Sequence, residues 1–299
     1  MRRAATGALI VLGVACGASP RRDTTPTTAD TVRVCGRVEP RGGVQSCVDP
    51  LTDEQASHRS HHYRVASRGD VVLSVERRTG AGEPAEAVTG AFSTHYRYVD
   101  GEVSERIARR IDGTIAQRTL FTKGGTHRSL VDAEGKPLLR GTTGHVTNYQ
   151  LDPRGWDAEE RSVSADGSPR PDSTGVFTWR FVHDDAGHVI EEAAFDAALA
   201  PMLTTDGWHL RRRSIGDLGC ELSERYFGVD GKAIAPSKGV AGHDHTCDRW
   251  GNRETTRHLG VDGRPISVAD EGWGLRFTRD EHGKITARTV LTEPAPSRR

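Results

Sequence analysis

Beyond residue 15 this chain has no apolar run that could cross a membrane as a helix, which takes about 20 residues. It has no charge excess, since 41 Lys plus Arg face 41 Asp plus Glu. Nothing global therefore favours nucleic acid or an acidic substrate. It contains no nucleophile elbow, P-loop, dinucleotide-binding glycine motif or zinc-protease helix. Apolar residues make up 35% of the chain and aromatics 6%. That is little for one thick core, and it implies modest stability without a partner. What the chain does have is glycine, 34 residues of it, and much of it is in register.

Gly155, Gly187, Gly219, Gly251 and Gly283 stand 32 residues apart. Three positions earlier, Asp152, Asp184, Asp248 and Asp280 keep the same step, with Gly216 as the exception. A second turn column runs Gly135, Gly167, Gly231 and Gly263, broken by Leu199. A proline column follows it at Pro137, Pro169, Pro201 and Pro265, with Ala233 at the gap. Four columns in one register mark stacked supersecondary units rather than one globular enzyme core.

Within a unit, Asp at the first turn position and Gly at the fourth suit a type I turn. Apolar residues hold two further phases: Val131, Val163, Phe195, Phe227 and Leu259, and Tyr149, Phe181 and Phe277. Each unit therefore reads as strand, wide loop, strand, tight turn. The wide loop carries Asp166 to Pro169 or Asp262 to Pro265, and its proline keeps it out of the ladder. In the unit that starts at Gly219, strands are expected near 220–227 and 240–247. A lone hairpin is marginal in water, so the units are expected to stack into one sheet.

The segments Tyr149-Gln-Leu-Asp152-Pro-Arg-Gly155, Phe181-Val-His-Asp184-Asp-Ala-Gly187 and Phe277-Thr-Arg-Asp280-Glu-His-Gly283 resemble YD repeats. Those occur in bacterial Rhs-type proteins, and the resemblance covers roughly 124–283. It implies antiparallel hairpins in a long curling sheet that serves as shell, scaffold or adhesive surface. The tyrosine usual before the Asp is replaced here by Leu151, His183, Cys247 or Arg279.

At the N-terminus, Arg2 and Arg3 precede a short apolar stretch, Ala4 to Val14, ending Leu12-Gly13-Val14-Ala15-Cys16. This resembles a bacterial lipoprotein signal, although Gly13 stands where that family usually has Leu. The resemblance implies cleavage before Cys16, lipidation of Cys16, and the outer membrane as destination. Several acyl chains anchor stably. The Thr- and Pro-rich stretch that follows reads as a disordered tether. Its reach would be roughly 50 Å.

Four further cysteines in an exported chain point to disulfides. Val32 to Val38 and Val44 to Cys47 flank Pro40-Arg-Gly-Gly43, so a small hairpin would set Cys35 opposite Cys47. Antiparallel pairing of 220–227 with 240–247 would set Cys220 opposite Cys247. From Asp70 onward, strand-like runs with Asp100-Gly101 and Asp112-Gly113 between them read as a meander joining the repeat sheet.

Two histidine groups invite a metal reading. His58, His61 and His62 would cluster on a helix, and His243 and His245 share a strand face with Cys247. A polar surface segment explains the first more simply, and a Cys220–Cys247 disulfide would take the thiol from the second. The turn aspartates offer too few oxygens for calcium. All five tryptophans, Trp156, Trp179, Trp208, Trp250 and Trp273, lie in the repeats. They suit packing between hairpins, and when exposed they suit ring stacking on a glycan.

The expectation is an all-β chain: an antiparallel meander of stacked hairpin repeats behind a disordered N-terminal tether. It divides into a signal peptide (1–15), a tether (16–31), a disulfide-closed hairpin and meander (32–123), and five 32-residue repeats with a tail (124–299). The expected role is non-catalytic binding or scaffolding in the bacterial cell envelope. No cofactor, metal or nucleic acid is implied, and membrane contact is through the lipid anchor alone. Partners would be another envelope protein or a glycan. The alternatives are a metal-binding protein or enzyme using the histidines, and a purely structural surface spacer.

Overall fold

Strand follows strand through a computed structural model that describes residues 30–87, 90–122, 127–131, 146–164 and 166–293. The signal peptide, Cys16, nearly all of the tether, Gly135 and Pro137 lie outside the described residues. The first half comprises β1 (Thr31–Cys35), β2 (Val38–Arg41), β3 (Val44–Cys47), α1 (Asp53–Ser57), β4 (His62–Arg68), β5 (Val71–Arg78), β6 (Ser93–Val99), β7 (Glu102–Arg109), β8 (Ile115–Thr122) and β9 (His127–Val131). The repeats supply β10 (Val146–Leu151), β11 (Asp157–Val163), β12 (Thr178–His183), β13 (Val189–Phe195), β14 (Leu210–Ile215), β15 (Glu221–Phe227), β16 (Gly242–Cys247), β17 (Arg253–Leu259), β18 (Gly274–Arg279) and β19 (Ile285–Val290).

Every strand except β2 and β3 belongs to one sheet of 17 strands. β1 pairs with β4, and from β4 each strand pairs antiparallel with the next as far as β19. The meander and the repeats are thus continuous through β8, β9 and β10.

The tight turns form as the Asp and Gly columns require. Gly155, Gly187, Gly251 and Gly283 donate their backbone N–H to the carbonyl of the Asp three residues earlier, at 2.9–3.1 Å. Each of those Asp side chains accepts from backbone N–H groups that follow it, as at His188 and Lys284. Gly155 sits at φ +87°, open to glycine at little steric cost, and a bulge follows at the same place in every hairpin. This is the three-residue hairpin loop closed by a glycine bulge. At Gly216 the Asp is missing, and a single 3₁₀ turn, Asp217–Gly219, takes its place.

The wide loops fold back on the strand before them. Val163, Phe195, Phe227 and Leu259 bridge to Pro169, Pro201, Ala233 and Pro265, and this covers the apolar column, with Leu259 at 2% exposure. Leu199 keeps the glycine geometry of its column at φ +63°.

The N-terminal hairpin departs from expectation. β2 pairs with β3 as Val38↔Cys47, so Cys35 is not opposite Cys47. Cys35 instead ends β1, in the main sheet opposite Tyr63. The chain turns away at Gly36, whose N–H donates to the Asp49 carbonyl. Edge strand β1 has its ladder satisfied by β4, so β2 and β3 are free to lift off. The Cys35–Cys47 disulfide then staples hairpin to sheet. Cys35, Val65, Val75, Tyr96, Val103 and Phe121 form a buried cluster, against which Val38 and Val44 of the hairpin pack.

Cys220 is joined to Cys247. The ladder between them runs Ser223↔Asp244, Glu224↔His243 and Arg225↔Gly242. Replacing both members of either pair with Ser is expected to lower unfolding free energy by about 3 kcal/mol. Urea titration of oxidised and reduced protein checks this, and a reduced protein as stable as the oxidised one would refute it.

Candidate functional site

The hairpins leave two rows of connections, tight turns along one side of the repeat sheet and wide loops along the other. The tight-turn row is occupied by the chain itself. Residues 36–61 run along it as a strap that touches all five turns. Arg41 donates from Nη2 to the Arg154 carbonyl at 2.7 Å. Asp49 meets His188, directly after the second turn, at 2.8 Å. Arg59 donates from Nη1 to the carbonyls of Leu218 and Trp250 at 2.9 and 3.0 Å. Asn252 donates to the His58 carbonyl at 2.8 Å, and His58 Nδ1 lies 2.7 Å from the Glu281 carbonyl.

The glycine column has a second use here. A Cβ on Gly187 would enter the Trp156 ring, one on Gly219 the Asp49 carboxylate, one on Gly251 the Arg59 guanidinium, and one on Gly283 the backbone from His58 to Ser60. Sequence reasoning explains these glycines by turn geometry and misses the strap. The signal available was the column persisting at Gly219 where the Asp column fails.

The histidines of the first group do not converge. α1 starts with a Thr52–Gln55 capping box and ends at Ser57, and the alternation from His62 onward starts a strand. His58 stacks on Trp250 at 4.2 Å, whereas His62 is buried in β4. Cys247 is bonded to Cys220, which removes it from the second group.

Along the other row, three successive wide loops and the strand ends beneath them enclose a cleft of about 560 Å³. Thr205 and Asp206, then Pro236 to Lys238, then Val268 and Glu271 form its rim. Trp208, Tyr226, His243 and His258 line it from the sheet. Trp208 is buried, 6.1 Å from the Tyr226 ring, with the Arg211 guanidinium over it at 5.4 Å. Tyr226 donates its hydroxyl to Glu224. Burial first, then Glu224, pushes the phenol up, so it stays a donor. Lys238 Nζ holds Glu271 Oε1 at 2.7 Å and lowers that carboxyl's pKa. Burial lowers the pKa of His243 and His258, against the opposing pull of Glu224 and Glu271, so both rings are neutral near pH 7.

Deeper on the same face, ligand atoms of Glu221, Glu224 and His245 lie within 4.8 Å of one another. Arg253 is 3.3 Å from Glu221, and Arg211 is 3.4 Å from Glu224. These carboxylates already have cations. This inner face is a lattice of ion pairs, extended by Arg211 with Glu192 at 2.5 Å and Arg128 with Asp157 at 2.7 Å.

The tryptophans serve packing more than display. Trp156 and Trp208 are buried, Trp179 donates to Asp172 at 2.8 Å, and Trp250 is stacked on His58.

No family model matches the chain, and no curated protein matches it. Among solved structures, it is similar to the crystal structure of TcdB2-TccC3-TEV, at 16% identity and a TM-score of 0.28. That likeness covers 79% of this chain and 13% of the other. It is also similar to alternansucrase in complex with isomaltononaose, at 12% identity and a TM-score of 0.14, over 74% of this chain and 20% of that one. At these values neither likeness bears on function.

Proposed function

We propose that this protein is a non-catalytic binding scaffold of the bacterial cell envelope, lipid-anchored at Cys16, whose wide-loop cleft takes a glycan of that envelope. The carrying observation is the division of labour between the two rows. The tight turns are taken by the chain's own strap, whereas three wide loops assemble a cleft around Trp208, Tyr226, Asp206 and Glu271. The half-buried Tyr226, backed by the buried Trp208, with carboxylate and hydroxyl groups on the rim suits a sugar, which offers an apolar ring face and hydroxyl donors. The lipoprotein-like segment ending at Cys16 and the YD-like repeats support the envelope setting.

Two measurements test it. Titration of soluble peptidoglycan fragments into the full-length protein is expected to change tryptophan fluorescence saturably. Tyr226→Ala is expected to weaken that response at least about tenfold, the loss of one aromatic contact with its hydrogen bond. No saturable response with any fragment would reject the glycan. Intact mass of the envelope-expressed protein is expected to show residues 1–15 removed and acyl chains added. An unacylated Cys16 would reject the anchor.

A further inference from the structure

A second cavity, of about 460 Å³, lies beneath the strap beside the third, fourth and fifth tight turns. Its charge is one-sided. Arg37 and Arg59 of the strap and Arg253 and Arg279 of the last units line it, and Glu221 is the one carboxylate among its lining residues. Glu221 faces Arg253 at 3.3 Å, and Glu39, outside the lining, faces Arg37 at 3.1 Å. No carboxylate among the described residues pairs with Arg59 or Arg279. Arg59 is 8% exposed, yet its Nη1 reaches only the Leu218 and Trp250 carbonyls. Arg279 reaches only the carbonyls of Gly283 and Arg253. A guanidinium taken out of water without a counter-charge is costly.

The unused donors belong to the same side chains. Nε of Arg59, Nε of Arg279 and Nη1 of Arg37 are buried with no hydrogen-bond partner among the described residues. Nη2 of Arg37 and of Arg59 makes no hydrogen bond to those residues either and, unlike the buried atoms, stays accessible. Burial is the largest influence on the pKa of Arg59 and of Arg279 and lowers both, against Asp49 and Asp248 at Arg59 and against Asp248 at Arg279. Burial, then Arg77, Arg59, His62 and Arg279, holds His61 in the same lining at about 4. The carboxylates nearby do not balance these cations.

We propose that this cavity binds a phosphate dianion, held between Arg37 and Arg59 on the strap and Arg253 on the repeats. A guanidinium offers paired N–H donors that match phosphate oxygens. The volume also admits a small group esterified to the phosphate, so the ligand is either the free ion or a phosphomonoester. It would tie the strap to the last units, on the row opposite the wide-loop cleft, and it stands independently of any sugar there.

The test is calorimetric titration of inorganic phosphate, and separately of glycerol phosphate, into the full-length protein at constant ionic strength. One equivalent per chain is expected, and the tighter of the two tells the free ion from the ester. Arg37→Gln and Arg253→Gln are each expected to weaken binding by more than about tenfold, the loss of one charged hydrogen-bond donor. Arg212→Gln alters an exposed arginine on β14 and is expected to leave binding unchanged. Glu221→Gln removes the opposing charge and is expected to tighten binding at least about threefold, an outcome that poor folding cannot mimic. A wild-type chain that binds neither compound stoichiometrically overturns the site. So does binding that survives both Arg37→Gln and Arg253→Gln, or that weakens as much in Arg212→Gln, or a Glu221→Gln variant with no gain in affinity.

Discussion

Gly283→Ala is expected to destabilise this protein about twice as much as Gly263→Ala, although both glycines sit at φ +74°. The shared backbone strain is about 1–2 kcal/mol for a Cβ in the left-handed region. At Gly263 an added Cβ meets nothing within 4 Å, so strain is the whole effect. At Gly283 the same atom would run into the Arg59 carbonyl carbon, the His58 carbonyl oxygen and the Ser60 nitrogen. These are backbone atoms and cannot swing aside. Overpacking adds about 1–3 kcal/mol, for a total of roughly 2–5 kcal/mol. Urea unfolding of the two variants measures the difference, which isolates the seating of the strap on the last turn. Equal losses would mean that the strap does not rest there.

His188→Ala is expected to lower stability by about 3 kcal/mol near pH 6, and by progressively less as pH rises. The ring bridges strap and turn, with Nε2 at 2.8 Å from Asp49 and Nδ1 at 2.8 Å from Asp184. Asp49 is 8% exposed and His188 5%, so truncation strands a buried carboxylate. The hydrogen bond to Asp49, then that to Asp184, raises the His188 pKa above 6.5, against burial. The folded state therefore holds this proton more tightly than the unfolded chain does. The stabilisation is full below about 6.5 and is lost as pH climbs through the raised value. His61, held at about 4 chiefly by burial, acts oppositely, destabilising the fold as pH falls below 6.5. For that reason the informative quantity is the difference between wild type and variant at each pH. A difference that grows with pH would contradict the bridge.

The hairpin repeat was legible because turn chemistry and strand alternation are local. Asp184 and Gly187 define their turn within four residues, and the pairing of 220–227 with the next strand follows from the period. Ser223↔Asp244 has that register. The strap was not legible, because each of its contacts spans a long separation, 139 residues for Asp49 with His188 and 223 for His58 with Glu281. Nothing periodic marks residues 36–61. The one hint was Gly219, which keeps its column where the Asp column fails. The N-terminal hairpin was half legible. Its β-forming residues and its turn were plain, but not its register, since Gly36 lets β1 leave it for β4. The cleft depends on three wide loops reaching across neighbouring units, and only His243 and Trp208 among its lining residues stood out beforehand.

An open row of repeats behaves like beads that answer only to their neighbours, and it can be shortened one bead at a time. The strap turns this row into a closed circuit. The strap near the start of the described residues is completed only when the hairpin of β18 and β19 supplies Glu281. Melting is then expected to be all-or-none rather than stepwise from an end. Folding is expected to be slow, because long loops must close before these contacts form. A protein built from repeats has here lost the modularity that repeats ordinarily confer.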